Sequence, residues 1–334
     1  MSNAKNMARI FVIFLSSFFI ATNVTAYNDI AAVEVVTNFK QLYAALTLYD
    51  YQGHPAVTQS LVEGLKQLGV DFNVNPDVKK IHKAVFVLAG TAYLRKMIKL
   101  KKSGDIKILF SGPNLVGSPQ REQGIIFSSA IDKHLVNSQW TYNAYRKVAL
   151  SRNRDHISIW YAGVDEQFWQ PSTQEKQRDV LVYWKTEPQS FCDSVCDVLR
   201  RYNWNPHVIK YGSYERNTFK KELNRAAFSI FLSVTESQGI ALAESWSMDV
   251  PTIVWNPEID LTYLGCTYKK TSACPYLTAH TGLTWKTFED LDRIIKNIDV
   301  TAFKPREWIL QNMTNRIAAL QLLKLMVDSA QNSK

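Results

Sequence analysis

The sequence predicts an α/β protein made of two doubly wound domains that face each other across a cleft. Three observations carry this. Apolar runs alternate with amphipathic stretches through most of the chain, as expected of parallel sheets covered by helices. Midway, residues 161–171 (Tyr-Ala-Gly-Val-Asp-Glu-Gln-Phe-Trp-Gln-Pro) and the polar 172–178 interrupt that alternation as a linker. Residues 228–255 follow the order strand, polar turn, helix, strand, which puts the turn at the carboxyl edge of a parallel sheet, where such folds bind ligands. A length of 334 residues suits two domains, each with its own core.

Taken in order, residues 1–26 stand apart from the fold. Lys5 and Arg9 precede an apolar core at 10–20, and Val24-Thr25-Ala26 offers small residues for cleavage. The apolar run is short for a membrane span, which needs about 20 residues. A secretory leader is the first reading and an uncleaved anchor the second. Losing Lys5 and Arg9 would lower the formal charge from +9 to +7.

Residues 27–165 form the expected N-terminal domain. Its clearest buried strands are 84–88 and 106–110, preceded by helices at 55–68 and 92–102, with weaker strands at 125–127, 133–136 and 157–160. Residues 166–304 form the second domain, with strands at 180–183, 208–209, 228–232 and 252–255 and a helix at 287–298. Residues 305–334 are a C-terminal segment whose apolar positions over 306–327 follow helical spacing. It either crosses back onto the first domain or caps the second.

With 46% hydrophobic and 21% charged residues, the chain is ordinary for a globular protein. Its positive balance comes with no recognition motif, which argues against nucleic acid as a partner. The most basic stretch, residues 95–102, could meet an anionic membrane surface or a phosphorylated acceptor. The simpler reading is the solvated face and last turn of a helix. Cys192 and Cys196 share a helical face, while Cys266 and Cys274 lie in a loop-rich segment. Buried thiols or disulfides are both open; the spacing is not that of a zinc site. Asp290-Leu291-Asp292 lies inside a helical pattern rather than at a strand end, so no metal is expected there.

Glu236, seven intervening residues and Glu244 flank the predicted helix N-terminus at Gly239. Free N–H groups at such an end suit a phosphate, and glycine lets the backbone approach a ligand closely. This arrangement, with 245–251 ending the helix, resembles the donor-site motif of retaining glycosyltransferases of family 4, which have two Rossmann-like domains in the GT-B fold. The Gly163-Val164-Asp165 linker with its following aromatic and proline is similar to their first interdomain crossing, and Val136-Asn137-Ser138-Gln139-Trp140 to the turn before it. The resemblance spans about residues 53–323 and is weakest before residue 84, where the usual double-glycine turn is reduced to Tyr51-Gln52-Gly53-His54-Pro55.

The resemblance implies transfer of a sugar from a nucleotide-activated donor, without an essential metal or separate cofactor. Glu236 would meet the donor sugar near its reacting centre, as the catalytic residue. Glu244 would take the ribose hydroxyls, and the N–H groups of Gly239, Ile240 and Ala241 would face sugar and phosphate oxygens. Lys185, at the end of the predicted strand 180–183, would hold the diphosphate; the family's second basic residue has no clear counterpart. Gly212, in the loop between Lys210 and Arg216, would lie at the nucleotide base. Gly53 and His54 would lie on the acceptor side, with the acceptor a glycan, lipid or protein. Residues 271–278 either close over the cleft or form a surface excursion. Two rival readings are an exported two-domain sugar-binding protein and a degenerate, non-catalytic relative. The leader implies export or membrane association, whereas a nucleotide-sugar donor argues for the cytoplasm.

Overall fold

The structure, a computed structural model, describes residues 33–37, 53–81, 83–149, 155–173, 176 and 178–331. The expected leader at 1–26 and the residues Tyr51 and Gln52 lie outside the described residues. Among the described residues no helix is long and apolar enough to cross a membrane.

The N-terminal sheet contains β1 (Val33–Val36), β2 (Phe72–Val74), β3 (Lys83–Val87), β4 (Ile106–Ser111), β5 (Lys133–Val136) and β6 (Ile157–Ile159). Their spatial order is β2-β1-β3-β4-β5-β6, all parallel. The second domain begins with β7 (Asp179–Trp184), β8 (Asn205–Lys210), β9 (Ala226–Leu232) and β10 (Thr252–Trp255). An antiparallel hairpin, β11 (Leu261–Tyr263) and β12 (Cys266–Tyr268), intervenes before β13 (Gly282–Trp285). The second sheet runs β13-β10-β9-β7-β8, again parallel. In both sheets the second strand lies outside the first and the third lies on its other side. The chain therefore reverses direction across each sheet at a switch point, between β1 and β3 in one half and between β7 and β9 in the other.

Burial explains the strand sequences. All of β9 is buried, so both its faces are covered and it reads as a continuous apolar run rather than an alternation. The helices that position the site are α1 (His54–Leu68), α2 (Thr91–Ser103), α3 (Gln139–Val148), α4 (Gln189–Arg201), α5 (Arg216–Arg225) and α6 (Ile240–Ser247). They are followed by α7 (Phe288–Asn297), α8 (Pro305–Asn312) and α9 (Asn315–Gln331). Thr287 and Asp290 form a capping box at α7, and Asp292 accepts from Arg201 and Tyr202, so both aspartates of that segment are structural. All four cysteines are buried free thiols.

Two expectations need correction. Residues 125–127 form a 3-10 turn, not a strand, directly after Gly124 in the left-handed region. The segment 306–327 is two helices, broken at Met313 and Thr314. There the linker residue Val164 donates its N–H to the Met313 carbonyl at 2.9 Å, and Asn315 donates to the Val164 carbonyl at 3.2 Å. The two passages of chain between the domains thus lie side by side. Gly163 permits this approach, since a Cβ there would sit 2.3 Å from the Thr314 carbonyl oxygen. Beyond the break, α9 joins the N-terminal core: Ala318, Leu322 and Met326 cluster with Val33, Leu61 and Leu65. Trp160 ties it down by donating its indole N–H to the Ala318 carbonyl at 2.8 Å.

Candidate active site

The chemistry collects at the switch point of the second sheet. Lys185 follows β7 and continues its ladder, donating its N–H to the Leu232 carbonyl at 3.0 Å. The turn 233–239 follows β9. These neighbouring strand ends bring the Lys185 ammonium to 2.6 Å from Glu236 Oε1. The same oxygen accepts from Ser233 Oγ at 3.2 Å, and the ammonium also lies 4.6 Å from the centre of the Tyr211 ring. The pair is partly shielded, with side-chain exposures of 22% and 18%, so its charges interact more strongly than a surface pair would.

The Glu236 backbone is held from both sides. Its N–H donates to the Ser272 carbonyl at 2.8 Å, so residues 271–278 brace the turn. Its carbonyl accepts the Trp140 indole N–H at 3.0 Å, a contact reaching across from α3 of the other domain. The turn ends at Gly239, whose φ of +67° caps α6 in the left-handed region that a side chain disfavours. The N–H groups of Ile240 and Ala241 then point out of the helix start with no carbonyl to meet within the helix.

Glu244 lies deeper, 6% exposed on α6. Burial pushes its carboxyl up to about 8, with the Arg216 charge pulling the other way. Arg216 itself lies over the Phe168 ring at 3.7 Å and has Asp165 Oδ2 at 3.7 Å, so two linker residues hold it against the cleft. Tyr183 stacks on Phe231 with ring centres 4.7 Å apart, and its hydroxyl lies 3.2 Å from that of Tyr214.

Together these residues line an interdomain cleft of about 520 Å³. Lys185, Glu236, Gly239, Ile240, Ala241 and Glu244 all face it, and Gly53 and His54 line the opposite wall at the start of α1. Gly212 does not line the cleft. Its φ of +79° serves the turn, and the neighbours Tyr211 and Tyr214 reach the cavity instead. Trp140 and Tyr183 also line it, as do Tyr214 and Arg216 of the loop for which the sequence named Gly212 as the site residue. The pointer to Tyr214 and Arg216 was the 210–216 loop itself and to Trp140 the turn 136–140, while Tyr183 read only as part of the apolar strand 180–183. Among the described residues no group of three or more His, Cys, Asp or Glu side chains is arranged to hold a metal ion.

No protein-family model and no curated protein matches the sequence. Solved structures match in fold. The apo lipopolysaccharide outer core galactosyltransferase WaaB aligns over 91% of this chain and 99% of its own, with TM-score 0.55 and 12% identity. Anabaena Alr3699/HepE in complex with UDP and glucose aligns over 89% and 100%, with TM-score 0.55 and 11% identity. Sucrose-phosphate synthase from Thermosynechococcus elongatus aligns over 91% and 100%, with TM-score 0.53 and 11% identity. The fold is therefore GT-B, with two Rossmann-like domains facing a cleft.

Proposed function

We propose that this protein is a retaining glycosyltransferase that moves a sugar from a nucleotide-activated donor to a glycan, lipid or protein acceptor, without an essential metal. The observation that carries the reading is the convergence of Lys185, Glu236 and the buried Glu244 on one sheet switch point, beside a helix start, in a cleft facing a second domain. A similar structure holds UDP and glucose, the two halves of such a donor. Glu236 neutralises Lys185 across 2.6 Å. A diphosphate entering the cleft competes for that ammonium and leaves the carboxylate beside the sugar. As the glycosidic bond breaks, negative charge grows on the departing diphosphate, where Lys185 and the N–H groups of Ile240 and Ala241 stabilise it. The acceptor hydroxyl adds to the same face of the sugar, and its proton passes to the departing phosphate oxygen. Glu244 accepts the ribose hydroxyls and fixes the nucleotide.

A thermal-shift series with the common nucleoside diphosphates tests this. A ligand at a hundredfold its Kd stabilises the native state by about 2.7 kcal/mol, so at least one should raise Tm clearly. No shift with any of them would remove the donor site. The leader favours a second reading, an exported sugar-binding protein; tight binding of free sugar with no nucleotide response would establish it. For location we propose export or membrane association. Intact-mass analysis of protein from its host should find a chain beginning at Tyr27 or a membrane-bound full-length chain; a soluble cytosolic form retaining residues 1–26 would overturn this.

A further inference from the structure

The β11–β12 hairpin leaves the second domain and lands on the first. Ser118 Oγ donates to the Leu264 carbonyl at 2.9 Å, and the Tyr268 hydroxyl donates to the Gly117 carbonyl at 2.8 Å. Cys266 and Tyr268 are buried in a cluster with Val136, Ala144 and Tyr145 of the N-terminal domain. The Tyr268 ring also meets Trp140 edge-on, with centres 5.4 Å apart. This strap and Trp140 divide the space between the domains.

On the far side from the donor cleft lies a second groove of about 650 Å³. Gln139, Asn143 and Lys147 line it from successive turns of α3, opposite Thr267, Lys269 and Lys270 at the end of the hairpin. Its base includes Ser272, whose carbonyl accepts the Glu236 N–H, and Trp140 lines both cavities. An indole ring and one peptide group therefore separate the groove from Glu236.

The groove is cationic. Lys147, Lys269 and Lys270 line it with a single carboxylate, Asp260. That carboxylate is already engaged, accepting Lys269 Nζ at 2.5 Å and the Lys270 N–H at 3.1 Å. Among the described residues Lys147 and Lys270 make no ion pair, and the Asn143 amide, which accepts from Gln139 at 2.9 Å, keeps its own N–H donors. The Lys147 ammonium, the Lys270 ammonium near Asp260 and an amide donor on facing walls suit an oxyanion.

We propose that this groove binds an anionic sugar, through a phosphate monoester or a carboxylate, behind the turn that carries Glu236. The anion site stands on the groove's own residues; that the anion is carried on a sugar rests on the glycosyltransferase reading.

Calorimetry on the full chain tests it with glucose 6-phosphate, glucuronate and glucose as probes, against wild type, Lys185→Ala and the double variant Lys147→Ala/Lys270→Ala. Both groove lysines are exposed, so the double variant should fold, as an unchanged circular-dichroism melt would verify. At least one anionic probe should bind more tightly than glucose. Lys185→Ala should leave that binding within about threefold. The double variant should weaken it by about a hundredfold, roughly tenfold for each charge-assisted hydrogen bond lost. Binding of glucose 6-phosphate alone assigns a phosphate, of glucuronate alone a carboxylate, and of both any anionic sugar. Wild-type affinity in the double variant, equal binding of glucose, loss only with Lys185→Ala, or no binding of either anion would each overturn the proposal. Nucleoside diphosphate binding is read separately at Lys185, so a failed donor site and a failed groove are distinguishable.

Discussion

The two halves of this protein share a strand order, yet their switch points carry different chemistry. After β7 and β9 the chain places Lys185 and Glu236 in contact, with Glu244 buried beneath them. On the facing wall, the start of α1 presents Gly53 and His54, and α3 presents Trp140. One sheet end supplies charge and aligned N–H groups; the other supplies walls, aromatic surface and a hydrogen bond from Trp140 to the second domain's turn. A common topology thus sets where ligands go, while the residues at each strand end decide what is done to them. The division can be tested by asking whether chemistry is lost only from one side.

The largest effect is expected at Glu236. Glu236→Gln keeps the size of the side chain but removes its charge. Turnover should fall by about 10²–10³, the range for losing one electrostatic contact made in the transition state, while nucleotide affinity stays within a few-fold. Steady-state kinetics with calorimetry on the same preparation would show it. An equal loss in affinity and turnover would make Glu236 a binding group only.

Next comes Lys185→Ala, which removes the ammonium proposed to meet the diphosphate. Nucleoside diphosphate affinity should drop by about ten- to a hundredfold, as for a lost charge-assisted hydrogen bond. The freed Glu236 adds to this, because its charge then faces the phosphates unneutralised. Wild-type affinity in this variant would break the asymmetry between the halves at its strongest point.

The same asymmetry governed what the sequence made legible. Lys185, Glu236 and Glu244 were readable because they follow or flank β7 and β9, whose apolar runs stand out. β1 and β2 escaped notice: one is four residues long with Glu34 inside it, and the other is three residues long and only partly buried. The break at Met313 and Thr314 carries no glycine or proline, since it is imposed by pairing with Val164 from 150 positions earlier in the chain. The hairpin was hidden for a related reason. Its turn places Leu264 at φ 48° and Gly265 at φ 76°, a geometry usually announced by Asn-Gly. Leucine there gives no turn signal, and packing against the N-terminal domain is what holds it. Trp140 was visible only as part of a turn, because nothing local marks an indole that bonds to a carbonyl in the other domain.

A smaller effect, on stability, distinguishes Glu244 from Glu236 within the second half. In the folded state burial raises the Glu244 carboxyl from 4.5 to about 8. Between those values the unfolded chain has released this proton and the native protein still holds it. The unfolded state therefore binds fewer protons, and this group's contribution to stability declines as pH rises through the window. Glu244→Gln should melt close to wild type at pH 4 and several degrees higher at pH 9, at about 2–4 °C per kcal/mol for domains of this size. A melting difference that does not change with pH would mean that Glu244 is ionised in the fold. Nucleotide binding should release protons at pH 7 if the ribose hydroxyls donate to the ionised carboxylate, which calorimetry in buffers of different ionisation enthalpy would detect.

The smallest expected effect tests the facing wall. Trp140→Phe keeps an aromatic ring against Tyr268 but removes the indole N–H that holds the Glu236 carbonyl at 3.0 Å. A neutral hydrogen bond contributes about 0.5–1.5 kcal/mol net, so turnover should fall by only about two- to tenfold. Nucleoside diphosphate affinity should not change, because Lys185 and Glu244 keep their surroundings. The loss should resemble a weakened Glu236→Gln, and combining the two substitutions should cost little more than Glu236→Gln alone, since one acts through the other. A hundredfold loss from Trp140→Phe, or full additivity with Glu236→Gln, would place independent chemistry on the N-terminal wall and end the division of labour between the halves.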